Sequence, residues 1–192
     1  IPALGSFIEI QKYRALGEKH GRALPAWLSF NVRMNRLGLA EVEAKELAQN
    51  PDMLTGIDVR GIMGHFACAD IKDHPMTQAQ YEAFCQIAKH YPDAEKSLSN
   101  SSGIFRDAQY HFDITRPGMA LYGLNPTPET KNPMRPVVKL EVPVIRVRKV
   151  FAGAHVGYGA TYQFEKDTPL ATVSAGYADG LFWALSNKGT LY

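Results

Sequence analysis

The chain has 192 residues, 45% of them hydrophobic and 21% charged, which is the composition of a folded globular protein and excludes overall disorder. Its formal net charge is only +2 and its basic residues are dispersed, so nothing favours nucleic acid or an anionic membrane as a partner. No apolar run is long enough to span a membrane, and Cys68 and Cys85 have no metal-ligand spacing. We therefore expect a cytoplasmic protein without a metal site that acts on small molecules.

The first part of the chain alternates helix and strand patterns. Ser6-Phe7-Ile8-Glu9 is a capping box, the pattern with which a helix begins, and Gly21 stands where that helix should end. A second capping box, Thr77-Gln78-Ala79-Gln80, predicts another helix start. After the first helix we predict a strand at 26–30, a helix at about 40–49, a strand at 57–63, the helix from Thr77, a strand at 96–99 and a helix at about 101–105.

Short connections between alternating strands and helices favour parallel pairing and an α/β fold. About four such units precede residue 125, roughly half of the eight that close a (β/α)8 TIM-type barrel. We expect part of such a barrel, within a chain that is an internal piece of a longer protein and lacks both of its ends.

A proline-rich stretch then separates two kinds of pattern. Its prolines exclude a helix or a central strand; they are Pro126, Pro128, Pro133 and Pro136. We place the barrel part at 1–125, a linker at 126–136 and the first part of an all-β domain at 137–192. Alternating apolar residues predict a strand through Val138, Leu140, Val142 and Val144, and a later strand is predicted at about 169–174.

Polar groups follow the predicted barrel strands, where active sites of such barrels are built. They are Asn31, Arg33 and Arg36, then His65, then the run Ser99-Asn100-Ser101-Ser102-Gly103, and finally Arg116 beside Pro117 and Gly118. Each also has a structural explanation: solvated arginines, a core histidine, a helix cap or an internal ion pair. The run from Ser99 suits a phosphate and a helix cap equally well.

Tyr177 stands between two glycines, in Gly176-Tyr177-Ala178-Asp179-Gly180, directly after a predicted strand. Such a tyrosine is either displayed at a site or packed in a hairpin turn. A phenol has an ordinary pKa near 10, so a catalytic base at neutral pH would need a neighbouring group that lowers it.

Six blocks of the chain, in this order and spacing, resemble alanine racemase, a pyridoxal-phosphate enzyme built from a barrel and a C-terminal β-domain. The blocks are Met34-Asn35-Arg36-Leu37-Gly38-Leu39, residues 64–70, residues 97–101, Arg116-Pro117-Gly118 through Tyr122-Gly123, Val156-Gly157-Tyr158-Gly159-Ala160-Thr161-Tyr162, and residues 176–180. The resemblance implies interconversion of L-alanine and D-alanine, which would supply D-alanine for cell-wall precursors.

The resemblance also implies roles for individual residues. Tyr177 would be one of two catalytic bases, facing a lysine across the substrate. Arg116 would hydrogen-bond the pyridine nitrogen of the cofactor, and His65 would lie between Arg116 and Tyr177 and pass on the positive field that lowers the phenol's pKa. Because guanidinium does not lose its proton, the pyridine nitrogen would stay unprotonated, which favours racemisation over transamination.

For the remaining site residues the resemblance implies binding roles. Ser101 and the backbone amides of Gly118 and Met119 would bind the cofactor phosphate. Arg36 would face the cofactor's phenolic oxygen and the substrate carboxylate, and Asp70 would line the entrance. The β-domain of one subunit completes the barrel site of another in this family, so a homodimer is implied, with Tyr177 serving the partner's site.

The chain departs from the family pattern in several places. The cofactor-binding lysine, usually in a segment close to Lys-Ala-Asn-Ala-Tyr-Gly, has no counterpart in these residues, so we expect the piece alone to be inactive. Ser29 replaces a modified lysine that braces the arginine, and Asn31-Val32-Arg33 replaces Asp-Thr-Gly, which leaves the bracing of Arg36 open. Phe182 and Trp183 stand where the family often has an arginine.

Two other functions remain open from the sequence. One is a broader amino-acid racemase or a decarboxylase of the same architecture. The other is a non-catalytic binding protein that keeps the fold without the lysine.

Overall fold

The computed structural model describes residues 1–191, which divide into a compact unit over Ile1–Val138 and a second unit that begins at Lys139. The domain limits predicted from the prolines, with a linker at 126–136, stay a prediction. Within the described part of the chain, no helix combines the length and the apolar character that crossing a bilayer requires.

The first unit is a parallel sheet whose strands are connected by helices. Its elements are β1 (Ala3–Leu4), α1 (Phe7–His20), β2 (Leu24–Ser29), α2 (Glu41–Gln49), β3 (Ile57–Met63), α3 (Pro75–Ala88), β4 (Glu95–Ser97) and α4 (Ser101–Arg106). The strands pair in the order β1-β2-β3-β4, and every pair is parallel. This arrangement confirms the α/β class and the parallel pairing. All carboxyl ends of the strands therefore lie along one edge of the sheet.

Helix α1 begins and ends where the sequence predicts. The Ser6 hydroxyl accepts a hydrogen bond from the Glu9 backbone N–H at 3.3 Å, and Gly21 closes the helix in a left-handed conformation. The Glu9 carboxylate reaches one residue further than a capping box requires and accepts from the Gly5 N–H at 2.6 Å. Both termini of this helix are thus set by local hydrogen bonds.

The start predicted for α3 was wrong by two residues. The helix begins at Pro75, whose missing N–H costs nothing in the first turn, and the His74 Nδ1 accepts from the Met76 N–H at 3.1 Å. Thr77 and Gln80, expected to form the cap, are instead buried inside the unit. The strands also shift slightly: β2 and β4 begin earlier than predicted, and the two-residue β1 was missed.

A tightly packed core lies between the sheet and its helices. Ala26, Leu28 and Ile62 of the strands and Phe84 of α3 are completely buried, and Leu47 of α2 is 1% exposed. Burying apolar surface at roughly 25 cal/mol per Å² stabilises this layer and gives the loops at the strand ends a rigid base.

The second unit consists of short antiparallel strands and 3-10 turns. Its strands are β5 (Val144–Val150), β6 (His155–Val156), β7 (Tyr162–Gln163) and β8 (Thr168–Val173), which pair as β5-β8 and β6-β7. The strand predicted through Val138 is shorter than expected, because residues 138–143 adopt no strand. The β character predicted for this part of the chain is confirmed.

Candidate active site

A cavity of about 610 Å³ opens at the carboxyl edge of the sheet in the first unit. It is lined by the turn before α1, by the loop after β2, by the end of β3 and by Arg116. Three residues predicted for the site from three separate segments, Arg36, His65 and Arg116, meet there. Ser101, Gly118, Met119 and Asp70 do not belong to its lining.

Arg116 is partly buried and is held by uncharged groups. Its Nη1 donates to the Ser97 Oγ, its Nη2 donates to the Gly64 carbonyl oxygen, and its backbone N–H donates to the Ser99 carbonyl oxygen at 3.0 Å. Among residues 1–191 no carboxylate pairs with it, and its Nε makes no hydrogen bond. Burial lowers the Arg116 pKa, but a guanidinium stays charged at neutral pH. The internal ion pair considered for this arginine is therefore not what holds it.

His65 lies against this guanidinium, with its Nδ1 3.4 Å from the Arg116 Nη2. Because a guanidinium only donates, Nδ1 acts as the acceptor and the ring proton resides on Nε2. Burial, followed by the positive charges of Arg116 and Arg36, lowers the pKa of His65 below its usual value. The imidazole is thus neutral at pH 7 and presents an N–H donor.

Arg36 is exposed and lies on a closed loop after β2. Hydrogen bonds from the Leu39 N–H to the Ser29 carbonyl (2.8 Å) and from the Asn31 N–H to the Leu39 carbonyl (2.9 Å) join the ends of this loop. Inside it, the Asn31 side chain bonds twice to Asn35, accepting from the backbone N–H at 2.8 Å and donating to the side-chain oxygen at 2.9 Å. This amide pair braces the loop from within and makes no bond to the Arg36 side chain.

Ser101 is 3% exposed and connects α4 to the segment after Arg116. Its Oγ accepts from the Gly118 N–H at 2.9 Å and from the Ala120 N–H at 3.2 Å. The Gly118 amide, expected on a phosphate, is thus engaged by Ser101. Within the described residues, the Ser101 O–H proton and the Met119 N–H have no acceptor. These two donors remain available to an anion.

Asp70 is exposed on the loop after β3, and Arg106 holds that loop in place. The Arg106 Nε donates to the Ala69 carbonyl at 2.6 Å, and its Nη2 donates to the Asp70 carbonyl at 2.8 Å. The same guanidinium pairs with both carboxylate oxygens of Glu129. This clamp connects α4, the loop with Asp70 and the proline-rich stretch.

Sequence reasoning missed Arg106, Glu129 and Gln80 as contributors to the site. An arginine at the end of a short helix resembles an ordinary surface residue, and Gln80 fitted a helix cap. The partners of these residues lie 23 to 48 positions away in the sequence or are main-chain atoms. No local sequence pattern therefore predicts these contacts.

In the second unit, Tyr177 begins a 3-10 turn over Tyr177–Asp179, flanked by Gly176 and Gly180. The Asp179 carboxylate accepts from the Gly176 N–H at 2.9 Å, and Gly180 adopts a left-handed conformation with φ +98°. The phenol is 63% exposed within this chain. The turn therefore presents the tyrosine at the surface of its unit.

Comparison with known proteins relates both units of this chain to alanine racemases. A model of the alanine racemase N-terminal domain matches residues 1–126, and one of the C-terminal domain matches residues 137–192. A catabolic alanine racemase of Mesorhizobium japonicum is 44% identical over 177 residues, which cover 92% of this chain and 46% of the relative. The alanine racemase of Rickettsia bellii is 38% identical over 193 residues, or 100% of this chain and 47% of the relative.

Solved structures agree with these relatives. Alanine racemase from Bartonella henselae, with covalently bound pyridoxal phosphate, superposes with a TM-score of 0.85 at 34% identity, over 96% of this chain and 52% of that one. The biosynthetic enzyme of Pseudomonas aeruginosa gives 0.82 at 31% identity, over 93% and 50%. The chain thus spans about half the length of these relatives. The likeness confirms part of a (β/α)8 barrel followed by the start of a β-domain, and the chain belongs to the alanine racemase family.

Proposed function

We propose that the complete protein containing this chain is a pyridoxal-phosphate-dependent racemase that interconverts L-alanine and D-alanine. The observation that carries the proposal is Arg116, a partly buried guanidinium that lines the cavity with only uncharged partners among residues 1–191 and an unused Nε donor. A buried charge is costly without a partner, so this position suits a ligand that supplies an acceptor.

The residues present fit pyridoxal phosphate. The Ser101 hydroxyl and the Met119 amide, together with the neighbouring Gly118 segment, would hold its phosphate, and Arg36 would face its phenolic oxygen and the substrate carboxylate. The Arg116 Nε would donate to its pyridine nitrogen. When bound, pyridoxal phosphate withdraws electrons from the substrate's α-carbon, so that the α-proton can leave.

Arg116 would also decide the fate of the substrate once its α-proton has left. Because this arginine donates a hydrogen bond and keeps its own proton, a ring nitrogen facing it stays unprotonated. With the cofactor bound, electron withdrawal from the substrate would then be weaker, and the α-carbon would regain a proton quickly. Rapid return of a proton to that carbon favours racemisation over transamination.

Tyr177 would exchange the proton on one face of the substrate, opposite the family's lysine. The phenol must lose its proton near neutral pH, and an N–H donor that carries a positive field favours the phenolate. His65 has these properties: its Nε2 bears the proton and its Nδ1 accepts from Arg116. Family resemblance implies that the tyrosine comes from a second subunit, so we propose a homodimer.

In the cell we propose a cytoplasmic enzyme that supplies D-alanine for cell-wall precursors. A second role, alanine breakdown, is favoured by the relatives named catabolic alanine racemases in Mesorhizobium japonicum and Agrobacterium fabrum, at 44% and 41% identity. A broader racemase or a decarboxylase would use the same residues for binding.

The test uses the complete protein. Purified protein is incubated with pyridoxal phosphate, the visible absorbance of bound cofactor is recorded, and conversion of L-alanine to D-alanine is followed by chiral chromatography. Arg116→Met should lose activity, whereas Arg60→Met, which changes an exposed arginine paired with Asp58, should not. Cofactor binding with no exchange of either enantiomer would contradict the proposal.

A further inference from the structure

Gln80 on α3 is completely buried beneath the two loops that carry the site. Its Nε2 donates to the Val32 carbonyl at 2.6 Å and to the His65 carbonyl at 2.9 Å. Its Oε1 accepts from the Ala67 N–H at 2.9 Å. One side chain thus bonds three main-chain groups on the loops after β2 and β3.

The hydrogen-bonding capacity of this amide matches its surroundings. A carboxamide has two N–H donors and an oxygen acceptor, and the three main-chain groups need two donors and one acceptor. An apolar side chain of similar size would fill the space and leave all three groups unpaired. A glutamate would keep the bond to Ala67 and set an oxygen against at least one of the two carbonyls.

Through Gln80, these hydrogen bonds connect the two loops that carry the site, the one after β2 and the one after β3. Val32 belongs to the closed loop with Arg36, and the second carbonyl belongs to His65 itself. The third bond, to Ala67, fixes the backbone two residues beyond the imidazole. Without the amide, the two loops would lose the three hydrogen bonds that join them to α3.

We propose that Gln80 is a positioning residue that holds His65 in register with the Arg36 loop and against Arg116. The inference rests on the proposed racemase function, because it assigns catalytic importance to the orientation of His65. Gln80 lies outside the cavity lining and would touch neither substrate nor cofactor. A displacement of about 1 Å at a catalytic group can lower turnover by up to about 100-fold.

The test compares Gln80→Met with two controls in the complete protein. Gln86→Met makes the same change on an exposed face of α3, where the side chain accepts a hydrogen bond from the Lys89 Nζ. Leu47→Ala should open a cavity in the core packed against α2 and lower the melting temperature, and Leu47 does not line the cavity of the site. For each variant, hydrogen exchange at the Ala67 amide, absorbance of bound pyridoxal phosphate, kcat and KM are measured.

For Gln80→Met we expect faster exchange at Ala67, unchanged cofactor absorbance and a kcat lowered by about 10- to 100-fold. Cofactor absorbance should persist because Gln80 makes no bond to Ser101 or Arg116. Leu47→Ala should lower the melting temperature and keep the wild-type kcat. A kcat for Gln80→Met equal to that of Gln86→Met would overturn the inference.

If Gln80→Met does not fold, Gln80→Glu tests the positioning role of Gln80 instead. It should keep Ala67 protected from exchange and still lower kcat, because a donor to the Val32 or His65 carbonyl is lost; a wild-type kcat would overturn the inference. Failure of the proposed racemase function would be seen separately, as wild-type protein that binds pyridoxal phosphate but does not racemise alanine. Exchange at Ala67 reports on Gln80 in either case.

Discussion

Arg116 keeps its positive charge in a partly buried position where residues 1–191 supply only neutral acceptors. Removing a charge from water is costly, and hydrogen bonds to a hydroxyl and a carbonyl offset only part of the cost. The lowered pKa of this guanidinium reflects that cost. We therefore propose that this charge serves an acceptor outside the described chain, the pyridine nitrogen of the cofactor.

Arg116→Glu should change the kind of reaction as well as its rate. A carboxylate facing the pyridine nitrogen would favour its protonated form and strengthen electron withdrawal, so the α-carbanion would live longer. We expect the ratio of pyruvate formed to alanine racemised to rise at least about tenfold, equivalent to 1.4 kcal/mol. Pyruvate is measured enzymatically beside racemisation. An unchanged ratio in an active variant would count against this role of Arg116.

His65 should titrate below its ordinary pKa of about 6.5. NMR of the imidazole should show the shift, and Arg116→Gln or Arg36→Gln should each raise the pKa by removing a positive charge. Arg60→Gln, which changes an exposed arginine outside the cavity lining, serves as the control. A wild-type midpoint at or above 6.5 would contradict the burial and charge that we assign to His65.

The lowered pKa of His65 also predicts how the stability of the fold changes with pH. Below about pH 6.5 the unfolded chain binds a proton that the folded chain resists, so the free energy of unfolding should fall as the pH is lowered from there toward the folded-state pKa of His65.

At the scale of elements, the loop after β2 depends on Gly38. Its φ is +99°, and a Cβ there would lie 2.7 Å from main-chain atoms of Phe30 and Asn31. Gly38→Ala should therefore lower the free energy of unfolding by about 1–3 kcal/mol, measured by urea denaturation. Gly21→Ala is the matched control, because its φ is also positive but its Cβ would meet open space. An equal cost at both positions would show that close approach at Gly38 does not matter.

The clamp at Arg106 predicts how the loop with Asp70 behaves. Arg106→Met removes the bonds to the Ala69 and Asp70 carbonyls and the pair with Glu129. We expect faster hydrogen exchange over residues 67–73 and a KM for alanine raised several-fold, with Arg60→Met as the control. Protection of this loop equal to wild type would show that other contacts hold it.

The clamp also has a defined pH range. The hydrogen bond from Arg106 holds the pKa of Glu129 below its ordinary value. The ion pair therefore contributes its full stability at a pH above the ordinary glutamate pKa. This contribution is lost as the pH falls through the lowered pKa of Glu129.

Local rules predicted the elements where local chemistry decides them. Ser6 and Gly21 bound α1 because their hydrogen bonds lie within one turn, and strand β3 was predicted with its observed limits. The start of α3 was wrong because two signals compete there, and Pro75 with His74 takes precedence over Thr77. The roles of Gln80 and Arg106 could not be predicted, because most of their partners are main-chain groups that every sequence contains, and Glu129 lies 23 positions from Arg106.

At the scale of the whole molecule, the chain divides its proposed chemistry between two units. Arg36, His65 and Arg116 lie in the first unit, and Tyr177 lies in the second, exposed on its own turn. The six sequence blocks identified the family because their order along the chain does not depend on how the two units are arranged in space. They do not determine which copy of the chain supplies the tyrosine, and the resemblance alone points to the partner subunit.

Mixed dimers show directly whether Tyr177 of one copy completes the Arg116 site of another. Complete proteins carrying Tyr177→Phe or Arg116→Met should each be inactive as homodimers. Co-expressed, they should form mixed dimers with one site that lacks both residues and one intact site. With random pairing, we predict about a quarter of wild-type racemisation. No recovery of activity in isolated mixed dimers would show that Tyr177 does not complete the site of the other copy.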